Sequence, residues 1–310
     1  KYNDYTGYYQ IGNWKWRAWK RGGHGATDMK KSLVESANTY YYKFSDQIGY
    51  APIVKTARDF GLGNITGIDV PGEKKGIIPD PDWKKKRTKT VWYRGDTILL
   101  SIGQGFTLVT PIQLAKAYTF LANKGWAYEP HVVSKIEDLQ TGKIETVTTQ
   151  KTVIEDYPKS YYDIINDALI ATVDQNNGTT RIMRNPYVKV AAKSGSAQNP
   201  HSKLTHAWVA GYFPADKEPE VVFVCLLEGA GGGGVMAGGM AKRFLDKYLE
   251  VEKGIVPVQN TPHTEPKNTN STIQTNGNQE NESSGEGIGE ERENEERETG
   301  ETNTVEEQQN

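Results

Sequence analysis

Lys193-Ser194-Gly195-Ser196-Ala197-Gln198 is the stretch on which the reading of this chain turns. It stands between two segments with strand character, Val188 to Ala192 before it and His206 to Phe213 after it. Side chains alternate along a strand, so Ser194 and Ser196 share one side of an extended chain. Gly195, without a Cβ, lets another backbone or a ligand come close. A cation, two hydroxyls and a glycine in four residues describe an edge strand that binds a carboxylate-ended peptide by backbone pairing and hydroxyl contacts. Taken alone, the same residues also fit an ordinary turn with a surface lysine.

Working outward, Val221 to Leu227 is apolar at every position and predicts a central strand covered on both faces. The glycine run Gly229 to Gly239 leads to a final helix over Met240 to Leu249, with Met240, Phe244, Leu245, Tyr248 and Leu249 as its packing face. On the N-terminal side, Tyr161 to Val173 has helical spacing and ends at Asn176-Asn177-Gly178. His131 to Ile136 and Ile144 to Thr148 read as a hairpin. Thr110-Pro111 reads as an N-cap followed by proline in the first turn, opening a helix that Gly125 stops. Pro52 to Phe60 is a short helix, and Thr66 to Asp82 a loop. Asp28 caps a single predicted helix running to Ile48, with Leu33, Ala37, Tyr40, Tyr41 and Phe44 on one face. Residues 1–27, rich in Tyr, Trp and Gly, read as an irregular aromatic loop. Helices, then an antiparallel sheet, then a covering helix make an α+β architecture.

Composition narrows the class. The 310 residues hold 39 acids and 37 bases, a net charge of -2 that points to neither nucleic acid nor an anionic membrane surface. The single cysteine, Cys225, lies in an apolar run and reads as a small buried hydrophobe. No run of about 20 apolar residues occurs. Residues 1–254 read as one domain portion; residues 255–310, rich in Asn, Thr, Glu and Ser, are expected to be disordered because they lack apolar surface to offset chain entropy.

A second element sits in the Asp28 helix: Ser36-Ala37-Asn38. Alone it fits a helix surface. Paired with the Lys193 strand it resembles two of the three signature elements of penicillin-binding proteins, Ser-x-Asn and Lys-Thr-Gly, with Ser194 keeping the hydroxyl. Longer stretches resemble the transpeptidase domain of the class B members. They are Phe60-Gly61-Leu62-Gly63, Thr66 to Glu73, Ser101-Ile102-Gly103-Gln104-Gly105, Val109 to Ala115, Asn177-Gly178-Thr179 and His206 to Tyr212. The opening Trp19-Lys20-Arg21-Gly22-Gly23-His24-Gly25 is most similar to the penicillin-binding protein 2, or elongation-type, subgroup. The resemblance covers about residues 1 to 250.

It implies a serine D,D-transpeptidase fold and reaction. A serine attacks the penultimate D-Ala carbonyl of a peptidoglycan stem peptide, terminal D-Ala leaves, and a second stem's amine resolves the acyl-enzyme. β-Lactams acylate the same serine. Lys193 and Ser36 would move the proton. Asn38 would hold the substrate amide and the nucleophile's lysine. Ser194 and Ser196 would grip the terminal carboxylate, with Gly195 and Gln198 alongside, and the Ser196 N–H would be half of the oxyanion hole. The implied partners are a membrane glycosyltransferase and elongation proteins, on the outer face of the cytoplasmic membrane.

Two departures shape the expectation. No Ser-x-x-Lys occurs in the 310 residues. The nucleophile and opening strands are therefore expected to lie on the N-terminal side of this stretch, with an anchor, and the chain alone is expected to be inactive. Some elongation-type relatives hold zinc near the opening region. The matching positions here are Tyr5 (or Asp4), Ala18, His24 and Ala37, of which only His24 is a good ligand. No metal and no cofactor is expected, and His24 reads as a loop residue bonded to backbone. A D,D-carboxypeptidase or penicillin sensor of the same fold, and a non-catalytic pseudoenzyme or interaction module, are the alternatives weighed.

Overall fold

A computed structural model describes residues 1–199 and 204–256. The expected disordered tail lies almost wholly outside the described residues. The described residues form one unit.

The body is a three-stranded antiparallel sheet with helices on both faces. Strands β9 (Ala191–Ala197), β10 (His206–Phe213) and β11 (Val221–Leu227) are ordered β11-β10-β9. The register pairs Gly195 with Trp208 and Val209 with Cys225. Alternation sends Ala192, Ala207, Val209, Phe213 and Phe223 to one face, against Ala237, Ala241, Leu245 and Leu249 of helix α8 (Met236–Lys253). Ala191 and Tyr212 go to the other face, against α6 (Pro111–Ala122) and α7 (Lys159–Asp174). Coverage of both faces explains why β11 is apolar throughout. Among the described residues β10 is central and β11 lies at the edge, as expected of a central strand without the neighbour that the opening strands would supply. Apolarity reports what lies above and below a strand, not what lies beside it.

The helical region precedes the sheet. Helix α1 (Met29–Val34) starts at Asp28, whose carboxylate accepts the Lys31 N–H at 2.8 Å. Then come α2 (Asn38–Ile48), α3 (Tyr50–Asp59), α4 (Pro81–Thr88) and α5 (Arg94–Leu100). Helix α6 has a reciprocal capping box: Thr110 Oγ1 accepts the Gln113 N–H, and Gln113 Oε1 accepts the Thr110 N–H. The same fully buried Gln113 amide donates to Asn64 O and Lys75 O, tying the preceding loop to the helix. Short strands complete the chain: β5 (Trp126–Tyr128) pairs with β8 (Lys151–Val153), and β6 (Lys135–Glu137) with β7 (Ile144–Thr146) in the expected hairpin.

Three expectations are corrected. The aromatic opening is not irregular: β1 (Tyr2–Asp4) pairs with β4 (Gly25–Thr27), and β2 (Tyr8–Ile11) with β3 (Trp14–Arg17). The single helix 28–48 is two helices, broken at Glu35–Ala37, and the buried face of the second is Thr39, Tyr42 and Ser45. In α8, Met240 and Phe244 are about half exposed; the small residues Ala237, Gly238 and Ala241 make the close contact instead.

Candidate active site

Among the described residues no strand pairs with the outer edge of β9, and the polarity of that edge can be read from its contacts. In an antiparallel pair, a residue's N–H and C=O point to the same side. Ala192 O accepts from Thr172 Oγ1 of α7 at 2.5 Å, and Ser196 O accepts from Gln104 Nε2 at 3.3 Å. Both contacts come from outside the sheet. Residues 192, 194 and 196 therefore turn their backbone groups outward, and the Ser196 N–H points into the space beside the strand.

The side chains divide by face. Ser196 Oγ accepts the Gly233 N–H at 3.1 Å, which leaves its own O–H free to donate. Ser194 lies on the same face, beside Gly234. This loop must be glycine: a Cβ on Gly233 would stand 2.0 Å from Gly195 O, and one on Gly234 2.3 Å from Thr179 O. Gln198 lies exposed at the strand's end. Lys193 points the other way. Its Nζ donates to Ser36 Oγ at 2.8 Å and to Ser194 O at 2.7 Å. Over its whole surface Lys193 is half-buried, but the amine end is enclosed between these two acceptors. Loss of water around the ammonium pushes its pKa down to about 8.

Ser36 reaches Lys193 because α1 ends two residues before it, at Val34. Ala37 N–H bonds Ser32 O at 2.9 Å and Ser36 N–H bonds Leu33 O at 3.3 Å. This is a Schellman end, whose left-handed position normally takes glycine. Here Ser36 fills it at φ 53°, a conformation that costs a non-glycine residue roughly 1–2 kcal/mol. Serine in place of glycine puts a hydroxyl at the point of sharpest turning. Asn38 then opens α2; its side chain faces the Tyr42 hydroxyl, and no hydrogen bond joins it to Lys193 among the described residues.

Three site-forming residues had no assigned role in the sequence reading. Gln104 and Asn177 lie in stretches that carried the family resemblance, so a signal existed. Glu35 had none. Its buried carboxylate accepts from His24 Nδ1 and Asn177 Nδ2, both at 2.9 Å, with Lys20 at 3.4 Å. Burial favours its neutral acid, but these hydrogen bonds and the nearby Lys20 and Lys31 charges outweigh burial and hold its pKa below the usual carboxylate range. His24 is therefore bonded through its ring to a carboxylate, not to backbone as expected. Among the described residues no three His, Cys, Asp or Glu side chains gather as a metal site.

An α+β body, a hydroxyl-lined edge strand and a lysine meeting a serine–asparagine turn define a class, the penicillin-recognising transpeptidase fold. Comparison with known proteins agrees. The family described as "Penicillin binding protein transpeptidase domain" matches residues 1–247, and the chain belongs to that family. It is 36% identical to peptidoglycan D,D-transpeptidase MrdA of Haemophilus influenzae, over 79% of this chain and 40% of that protein. With the MrdA of Escherichia coli K12 the identity is 34%, over 76% of this chain and 39% of the relative. Among solved structures, Pseudomonas aeruginosa PBP2 in complex with WCK 5153 superposes with a TM-score of 0.71 at 30% identity, covering 83% of this chain and 57% of that one. Helicobacter pylori PBP2 in its complex with MreC gives 0.69 at 29% identity, covering 80% and 44%. The chain thus spans about 40% of the length of these curated relatives.

Proposed function

We propose that this chain supplies the proton-handling and substrate-gripping side of a peptidoglycan D,D-transpeptidase of the elongation type. The observation that carries the reading is the 2.8 Å contact between Lys193 Nζ and Ser36 Oγ, across 157 residues of sequence, beside an outward-facing strand edge. With its pKa near 8, Lys193 is mostly protonated at neutral pH yet keeps a usable neutral fraction. In acyl transfer, the nucleophile's oxygen bonds the penultimate D-Ala carbonyl carbon and the bond to terminal D-Ala nitrogen breaks. The hydroxyl proton must end on that nitrogen. Ser36 and Lys193 form the relay for it. The Ser196 N–H faces the developing oxyanion, a donor whose loss elsewhere lowers rate by about 10²–10³. The Ser194 and Ser196 hydroxyls, on the opposite face of the strand from Lys193, meet the terminal carboxylate.

The acylated serine in this reading belongs to a Ser-x-x-Lys element outside the 310 residues. The relatives' names support cross-linking over simple carboxypeptidase action. A peptidoglycan substrate supports a position on the outer face of the cytoplasmic membrane; no described helix is itself long and apolar enough to cross it. The PBP2–MreC complex and a related peptidoglycan synthase complex support elongation-complex proteins and a glycosyltransferase as partners. A fluorescent penicillin tests the assignment. The 310-residue chain should take no covalent label, and the gene product that includes Ser-x-x-Lys should take one equivalent. Labelling of the 310-residue chain, or none of the longer product, overturns it.

A further inference from the structure

The residue before Ser36 is the best-connected buried charge near the site, and no step so far uses it. Glu35 sits at the C-cap of α1, with its side chain 8% exposed. Its two oxygens join two segments distant in sequence: His24 and Lys20 of the loop before β4 on one oxygen, and Asn177 of the loop after α7 on the other. That last loop is fastened a second time, by Thr179 N–H to Val34 O at 3.2 Å. The backbone on either side of the turn is clamped too. The Trp19 indole N–H is shared between Glu35 O at 3.0 Å and Ser36 O at 3.2 Å, and the Trp19 ring lies edge-on to His24.

A left-handed serine is strained and persists only where its surroundings over-determine it. Here the surroundings are Glu35 and Trp19. We infer that Glu35 is a positioning residue: through His24, Asn177 and the Trp19 clamp it holds the Ser36 turn so that the hydroxyl stays on the Lys193 amine. The inference deepens the transpeptidase reading and rests on it for the role of the Lys193–Ser36 pair. Glu35 touches neither Lys193 nor, on this geometry, the substrate. Its effect passes entirely through Ser36, which gives the claim a sharp signature.

The test is a double-mutant cycle on penicillin acylation of the gene product carrying Ser-x-x-Lys. Glu35→Gln keeps size and the Asn177 contact but removes the charge facing His24; Trp19→Phe keeps the ring and removes the shared N–H. Each is expected to lower the acylation rate constant about tenfold, equivalent to one relaxed contact in the transition state. In a Ser36→Ala background each should add less than about twofold, since the group they position is gone. Equal losses in both backgrounds, or no loss in Glu35→Gln, overturn the inference. A second readout is independent of acylation. On the 310-residue chain, the pH midpoint of Lys193 modification by an amine-reactive reagent, followed by mass spectrometry, should move in Glu35→Gln. A midpoint that stays at the wild-type value refutes the positioning role. Failure of wild-type acylation with a Glu35-dependent midpoint would instead refute the transpeptidase reading and leave the positioning role standing.

Discussion

Replacing Gly233 by alanine isolates the contact that seats the glycine loop on β9. The new Cβ would stand 2.0 Å from Gly195 O and 2.5 Å from Trp208 O, both backbone atoms of paired strands. Neither can swing aside as a side-chain tip would. Relief requires the loop to lift, which also stretches the Gly233 N–H to Ser196 Oγ bond. Overpacking of this kind costs about 1–3 kcal/mol, and the lost hydrogen bond about 1 more. At roughly 2–4 °C per kcal/mol for a chain of this size, the melting temperature should fall by about 4–16 °C. Gly232 is the internal control. A Cβ there meets nothing within 4 Å and its φ is unexceptional, so Gly232→Ala should be neutral or raise stability by up to about 1 kcal/mol. Thermal unfolding followed by circular dichroism separates the two. Equal melting temperatures for the two variants would refute the seating of the loop on β9.

Three further outcomes follow from buried polar groups. Below pH 8 both folded and unfolded chains carry the Lys193 ammonium, so the fold bears the full cost of enclosing it; between pH 8 and 10.5 the folded chain gives up its proton first, and above that the cost is gone. Lys193→Met should therefore stabilise at pH 7 and lose up to about 3 kcal/mol of that advantage by pH 10.5, measured by denaturant midpoints of both proteins at each pH. Asp4 is fully buried and accepts from Gly7 N–H, His24 N–H and Thr39 Oγ1; Asp4→Ala strands three donors at about 1–3 kcal/mol each and should leave little folded protein in a urea titration. Gln113→Leu keeps the volume but orphans Thr110 N–H, Asn64 O and Lys75 O, and should cost at least about 3 kcal/mol, with proteolysis in the 64–76 loop as a local readout.

Much of the architecture was legible because its causes are local. Asp28 and Thr110 announce helix starts through side chains that satisfy nearby N–H groups, and both caps appear where expected. The strand 206–213, apolar almost throughout and covered on both faces, was placed to the residue. What stayed hidden depends on distant partners. The pairing of Tyr2–Asp4 with Gly25–Thr27 closes over twenty residues of loop and hairpin, and three-residue strands carry no periodicity. The break at Ser36 lacked its usual glycine, so helical spacing ran on through it. Of the site, Lys193 and Ser36 were named from sequence and stand in contact. Glu35 could not be: a glutamate at a helix end looks like solvent-facing charge until His24 and Asn177 are folded onto it.

The account depends most on a strand edge built to receive a free carboxyl end. Calorimetric titration of this chain with a peptide ending in D-Ala-D-Ala, and with the same peptide as its C-terminal amide, asks that question without any acylation. The acid should bind at least about tenfold more tightly, as one charge-assisted contact requires, and Ser194→Ala combined with Ser196→Ala should erase the difference. Equal affinity for acid and amide in the unaltered chain would contradict the assignment of β9 as the substrate strand.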